Sequence, residues 1–200
     1  MSLIEPIDRA PLEGDEAIEG IPGTNVHDFW RFALPNLQVN TARGWFAEFL
    51  VAKAVGLERP VRIEWDDHDV VWEGIRIEVK SSGRMQMWVQ KKPSDLRFGG
   101  LSSRSWTADA VDYAPERSYN ADLYVFAVQT SETHESYDPL DVDQWRFAVL
   151  PVAAVEATGY RSLSWAAVTR LAGGDIGFAE LRDDIVLKSG RCRPEGEPST

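Results

Sequence analysis

One cysteine, three histidines and no long apolar run leave several classes of function without the residues they need. Cys192 alone cannot close an internal disulfide or supply the cysteine cluster of a zinc site. It lies in the polar stretch "SGRCRPEGEPST" and reads as a tail thiol. His27, His68 and His134 are too scattered to form a recognisable metal or acid–base set. No apolar stretch approaches the ~20 residues that span a bilayer, and the opening "MSLIEPIDRAPLEG" lacks the basic and apolar blocks of a signal peptide. The expectation is a cytoplasmic protein with no membrane partner. A nucleotide-binding loop is also missing, because "RFGGLSS" has neither the spacing nor the Lys-Ser/Thr pair of one.

Positive charge is scarce overall, with 21 basic residues against 32 acidic ones and a net charge of −11. Taken whole, that balance disfavours nucleic acid, whose phosphates are met by Lys and Arg. The distribution is uneven. Between Arg76 and Arg104 seven basic residues face only Glu78 and Asp95, whereas 1–28 and 109–143 together carry half of the acid with one Arg each. Local charge therefore permits an anionic partner, and it equally suits a solvated surface of mixed charge.

What is present is enough for one domain: 200 residues, 44% hydrophobic, with eight Trp and eight Phe. Residues 1–24 are acidic and rich in Pro and Gly, and read as a flexible or loosely docked arm. Residues 25–190 read as a single domain and 191–200 as a polar tail. "NVHDFWRFALP" predicts a short helix stopped before Pro35. "NLQVNTARGWFAEFLVAKAVG" predicts a helix capped by Asn40 or Thr41, ended by Gly56 and buried around most of its circumference. "VRIEW" and "DVVWEGIRIEVK" alternate as strands of an antiparallel meander, with Glu73-Gly74 at a bend. "ADLYVFAVQ", apolar on both faces, predicts a central strand covered on both sides. "QWRFAVLP" predicts a further strand, and "PVAAVEATG", "SLSWAAVTRLAG" and "FAELRDDIVLK" predict helices. The fold class is α/β: a central mixed sheet flanked by helices, with additional helices toward the C-terminus. Between Ser81 and Asn120 the periodicity is weak, and a loop region of that length in a compact domain points to function or disorder.

The chemistry centres on "GIRIEVKSS". On a strand Glu78 and Lys80 share one side, ~7 Å apart along the backbone, while Ile75, Ile77 and Val79 point to the other. Asp69, nine residues before Glu78, begins the preceding strand, and an antiparallel return sets its carboxylate beside that of Glu78. Two converging carboxylates make a hard oxygen site for Mg²⁺ or Mn²⁺. Lys80 would stand beside the ion, placed to stabilise charge on a phosphoryl transition state. Glu48, the only acid on the buried helix, needs a partner there, the metal or its waters or a basic side chain from elsewhere, unless it lies at the helix rim.

A strand reading Glu-x-Lys, an Asp at the mouth of its neighbour and an upstream helix bearing Glu resemble the PD-(D/E)XK, or restriction-endonuclease-like, superfamily. "NTARGWFAEFLVAKAVG", "WDDHDVVWEGIRIEVKSS" and "DPLDVDQWRFAVLP" are further similar to a family of largely uncharacterised bacterial proteins with that core, over roughly residues 25–155. The resemblance implies a restriction-endonuclease-like core, with Asp69, Glu78 and the Val79 carbonyl as metal ligands, Lys80 as catalytic lysine and Glu48 as the helix acid. The Pro usually written before the Asp is replaced by His68. "WDDHD" also leaves Asp66 and Asp67 as rivals to Asp69, with Asp67 in reserve because it shares its parity. It implies a Mg²⁺-dependent DNA endonuclease of restriction, defence or DNA-processing type.

Arg84, Lys91, Lys92, Arg97 and Arg104 are the candidates for phosphate contacts, and Trp88 or Trp106 for stacking on an unpaired base, with a core or lid role as the alternative. Gln86 and Gln90 would reach a base edge or phosphate if "MQMWVQKK" runs along the cleft, or lie on a helix surface if it does not. A one-site nuclease must act twice to sever a duplex, which suits a homodimer, although no oligomer signature supports one. The other class to weigh is a nuclease-like fold that binds nucleic acid or protein without cutting.

Overall fold

The computed structural model describes residues 9–62, 68–102 and 117–190. It divides into two compact units, 1–36 and 37–200.

In the first unit the acidic segment folds back on itself. The Glu16 carboxylate accepts the backbone N–H groups of Glu13 and Gly14, both at 2.8 Å. Val26 N–H donates to the Glu16 carbonyl, His27 N–H donates to that of Gly14, and Ala17 bridges Asn25. Gly14 is obligatory there: its φ is +108°, and a Cβ would meet the His27 ring at 2.4 Å. The expected arm thus has local order built from backbone hydrogen bonds and little burial. Helix α1 (Val26–Ala33) begins with Asn25 and Asp28 capping each other's backbone N–H and ends at Leu34, before Pro35. None of its residues is buried.

The second unit opens with α2 (Asn40–Ala54) and is organised on a four-stranded sheet in the order β1-β2-β4-β5. These strands are β1 (Val70–Trp72), β2 (Ile75–Gly83), β4 (Leu123–Gln129) and β5 (Trp145–Pro151). β2 runs antiparallel to β1 and parallel to β4, and β5 is antiparallel to β4, so the sheet is mixed. A separate ribbon pairs β3 (Arg97–Phe98) with β6 (Leu163–Ser164). Three helices follow β5: α3 (Val152–Glu156), α4 (Trp165–Ala172) and α5 (Phe178–Lys188).

Parity along the strands divides the core in two. Ile75, Ile77 and Val79 of β2, with Val125, Ala127, Phe147 and Val149, face Ala47, Leu50 and Val51 of α2 and Leu181 and Ile185 of α5. Tyr124, Phe126, Val128 and Leu150 face Phe98, Leu101, Leu163, Val155 and Val168 on the other side. All seven residues of β4 are buried, which is why that strand reads as an unbroken apolar run and why polar groups of the site come from β2.

Several expectations are corrected. Val61 and Arg62 form no strand, and the rest of "VRIEW" lies outside the described residues; of the expected meander, the described residues show the hairpin β1–β2. α2 is buried on one side only, since Trp45 and Phe49 are 38% and 47% exposed. Its cap is Val39, with no side-chain hydrogen bond, because Asn40 is already helical and its side chain receives the Arg43 guanidinium. Gly56, at φ +88°, does end it. "MQMWVQKK" is irregular chain rather than helix.

The hairpin turn is the tightest local requirement. Glu73 and Gly74 both have positive φ, 49° and 80°, as a two-residue I′-type turn demands. It sets the register Val70↔Ile77, Val71↔Arg76 and Trp72↔Ile75. A slip of one residue would turn Glu78 and Lys80 into the α2 core. Among the described residues nothing beyond its own chain neighbours would come within 4 Å of a Cβ at Gly74, so Gly74→Ala should cost ~1–2 kcal/mol through the left-handed backbone alone. Urea unfolding of parent and variant measures this directly, and identical midpoints would refute the turn geometry.

Candidate active site

Asp69 sits where the β1 ladder runs out. Its N–H donates to the Ile77 carbonyl at 3.1 Å, and its carboxylate Oδ2 accepts the Val79 N–H at 2.7 Å. A side chain thus supplies the next rung of the ladder. In a strand the N–H and C=O of one residue point the same way, so the Val79 carbonyl is directed to the edge that holds the Asp69 carboxylate. Glu78 and Lys80 project from the face opposite Ile77 and Val79, and both are half-buried. Lys80 Nζ donates to Glu78 Oε1 at 2.5 Å. Beside it the chain after β3 comes close: a Cβ on Gly100 would stand 3.8 Å from Nζ.

Glu48 comes from α2, its side chain 13% exposed, and accepts from Arg62 Nε at 2.8 Å. The Arg62 guanidinium lies 5.4 Å from the centre of the Trp45 ring. Basic partnership, one of the two alternatives open for this acid, is what the structure shows.

The three carboxylates sense one another. Burial, then the charge of Asp69, pushes Glu48 up to about 7 despite Arg62. Burial raises Asp69, opposed by the Val79 N–H and by Lys80. Burial likewise raises Glu78; Lys80 opposes it and Asp69 adds to it. Asp69, Glu78, Lys80 and Glu48, separate in sequence, are therefore one electrostatic unit in which three acids share two close cations, Lys80 and Arg62. Such a unit attracts either a proton or another cation.

Among the described residues no three His, Cys, Asp or Glu form a ready group for a metal. The Glu78 carboxylate is drawn to Lys80 and that of Glu48 to Arg62. The donor chemistry nevertheless suits a hard ion: Asp69, Glu78 and the Val79 carbonyl offer oxygen only. Mg²⁺ is ordinarily held by one or two carboxylates with waters and substrate phosphate, not by an all-protein cage.

The other sequence candidates are differently placed. Gln86 is only 6% exposed. Its Nε2 donates to the Gly83 carbonyl, its N–H donates to Gln90 Oε1, and its Oε1 accepts from Arg43. Gln90 Nε2 donates to the Arg84 carbonyl and to Ser94 Oγ, both at 3.0 Å. These glutamines brace the loop after β2 and lie on no helix, which corrects their reading as helix-surface residues. Arg43, overlooked in the sequence, is the third brace: buried on α2, it donates to the Met85 carbonyl. Its only signal was a basic residue among the apolar positions of that helix.

The braced loop presents Met87, Trp88 and Val89 to solvent, Val89 at 99%. Trp88 is thus outside the core. Lys91, Lys92 and Arg97 are exposed, Lys92 3.5 Å from Asp95 and Arg97 donating to Ser162. Arg84 lies 3.4 Å from Glu132. Asp66, Asp67, Arg104 and Trp106 lie outside the described residues.

Glu48 carries a pH signature. Its folded pKa, about 7, exceeds the ordinary 4.5, so the folded state holds this proton more tightly than the unfolded one. Its contribution to stability is greatest below 4.5, falls between 4.5 and 7, and is fully unfavourable above 7. Glu48→Gln, which keeps an acceptor for Arg62, should melt higher than the parent at pH 8 in chelator, with the gap closing as pH falls toward 5. A pH-independent gap in thermal melts would contradict the assignment.

No protein-family model, curated protein or solved structure matches the chain.

Proposed function

We propose that the protein is a divalent-metal-dependent nuclease hydrolysing phosphodiester bonds, with DNA as its first substrate and a restriction-endonuclease-like core. The observation that carries this reading is the convergence of Asp69, Glu78 and Lys80 on the β1–β2 hairpin with Glu48 of α2. The mixed sheet with a parallel β2–β4 pair and helices on both faces is consistent with the resemblance drawn from the sequence.

The chemistry follows from the side chains. Asp69, Glu78 and the Val79 carbonyl would hold Mg²⁺ or Mn²⁺, which supplies Lewis acidity and neutralises phosphate charge. Lys80 is held against the β2 face by Glu78. Turned from Glu78 to a phosphate oxygen, its ammonium stabilises the negative charge that builds up during displacement. Glu48 holds Arg62, and the two line one recess with Asp69, which would offer the incoming strand a second cation. Lys91, Lys92 and Arg97, exposed on the chain after β2, are placed for backbone contacts. A homodimer would allow both strands of a duplex to be cut, and a cytoplasmic setting fits a chain in which no described helix is long and apolar enough to cross a membrane.

One observation favours a second reading. Glu78 and Glu48 already have basic partners, an arrangement that also suits a nuclease-like fold binding nucleic acid or protein without cutting.

The deciding assay incubates purified protein with supercoiled plasmid or RNA and Mg²⁺ or Mn²⁺. Cleavage abolished by chelator is expected, with Lys80→Ala and Glu78→Ala each slower by about a hundredfold or more. Calorimetry with Mn²⁺ should show a binding signal that Asp69→Asn suppresses. Absence of cleavage in every combination, or variants as active as the parent, would defeat the proposal; nucleic-acid binding indifferent to divalent ions would then favour the second reading.

A further inference from the structure

Next to the carboxylates is a recess of about 410 Å³, within the ~300–1,000 Å³ typical of small-ligand sites. Trp45 and Phe49 of α2 line it together with Val61, Arg62 and His68, and Glu48 and Asp69 are among its lining residues. Trp45 and Phe49 are four residues apart, so their rings share one helix face. That face is the exposed one, whereas Ala47, Leu50 and Val51 on the other side of α2 are almost wholly buried.

Two further details set this recess apart from an ordinary surface dent. Phe49 stacks on the half-buried Phe46 at 6.1 Å with 25° between ring planes, which fixes its orientation from behind. The Arg62 guanidinium, anchored by Glu48, is held over the indole of Trp45. Aromatic walls joined to a planar cation and a carboxylate are what a planar heterocycle needs: surfaces to stack on and hydrogen-bonding groups at its edge.

On the nuclease reading, on which this step rests, the reacting phosphate lies at Asp69, Glu78 and Lys80. Asp69 belongs to both the site and the recess, so the base attached to a neighbouring sugar falls within reach of Trp45. A base stacked and paired inside a duplex cannot enter; an unpaired or extruded one can. We infer that the recess between Trp45, Phe49 and Arg62 takes one unpaired nucleobase of the substrate strand, so that the protein acts on single strands or at unpaired nucleotides. Among the described residues the recess sets the rings of Trp45 and Phe49 in an otherwise largely aliphatic lining, with the guanidinium of Arg62 and the imidazole of His68 beside carboxylates, so stacking rather than phosphate attraction carries the selectivity.

The test is an anisotropy titration of three labelled oligonucleotides: a single strand, its matched duplex, and the same duplex with one unpaired nucleotide. It is run with and without Mg²⁺ on the full chain and on Trp45→Leu, Phe49→Leu and Trp45→Phe. The parent should bind the single strand and the interrupted duplex about tenfold or more tightly than the matched duplex. Trp45→Leu and Phe49→Leu should erase that preference, and Trp45→Phe, which keeps a ring, should retain most of it and so report an intact helix. Equal binding of all three, no binding, or a preference untouched by both leucine variants would overturn the inference. Gel analysis of the same samples separates the two questions. Lys80-dependent cutting with no preference leaves the nuclease reading standing without the recess. Ring-dependent preference without cutting supports the recess and counts against hydrolysis.

Discussion

The hydrogen bond from the Val79 N–H to the Asp69 carboxylate is the interaction on which the site depends. It occurs where β1 stops pairing as backbone, so the edge of the sheet is closed by a side chain. An exposed edge amide would be solvated at little cost, but here Val79 is buried, and an unmet donor would cost ~1–3 kcal/mol. Asp69 removes that cost and, in doing so, is held beside Glu78. The I′-type turn at Glu73-Gly74 makes the bond possible, because it sets the register that carries Asp69 past Ile77. Structure and candidate chemistry are therefore not competing uses of Asp69: the bond that finishes the sheet also orients the carboxylate.

The same arrangement concentrates charge where solvent is scarce. Glu48, Asp69 and Glu78 are all pushed toward protonation, chiefly by burial, with the charge of Asp69 adding to the shift of Glu48 and Glu78. A core without a role for acids would replace them with apolar residues of similar size at no loss of stability. Arg62 and Lys80 hold the unit together, each bonded to one carboxylate. Lys80 is suited to exchange partners: its long flexible stem carries a compact charge that can leave Glu78 for another anion without moving β2.

Much of this was legible in the chain because it rests on short-range pattern. β4 announced itself by a run of apolar residues that only a doubly covered strand tolerates, and β2 by alternation that put Ile75, Ile77 and Val79 opposite Glu78 and Lys80. Gly56 and Pro35 marked helix ends for opposite reasons: glycine freely takes the left-handed backbone that closes a helix, and proline turns the residue before it away from helical geometry. What escaped was whatever depends on contacts far apart in sequence. Gln86 resembled a surface residue until Arg43, 43 positions away, came to meet it. The exposed half of α2 was hidden for the same reason: "GWFAEFLVAKA" is apolar almost all round, and only the packing shows which rings lack a neighbour.

Charge gives the last instance of that limit, and it changes how a nucleic acid would be met. Counted along the chain, 76–104 is strongly basic and 109–143 strongly acidic. In space, among the described residues, two of these cations meet acids of the later segment, Arg76 pairing with Asp122 at 2.9 Å and Arg84 with Glu132 at 3.4 Å, while Lys92 stands near Asp95 of its own segment. The basic window therefore gives a weaker field than its composition promises. Exposed pairs of this kind contribute little to stability, with a median of about 0–1 kcal/mol, so an incoming phosphate can displace the carboxylates at small cost. They would still weaken long-range attraction, as does a net charge of −11. Contact with an anionic strand then rests on what acts at close range. Trp45 and Phe49 at the recess, and Trp88 at the braced tip, are the large apolar surfaces exposed near the cations. Were the partner a nucleic acid, stacking would have to provide selectively what electrostatics provides only weakly.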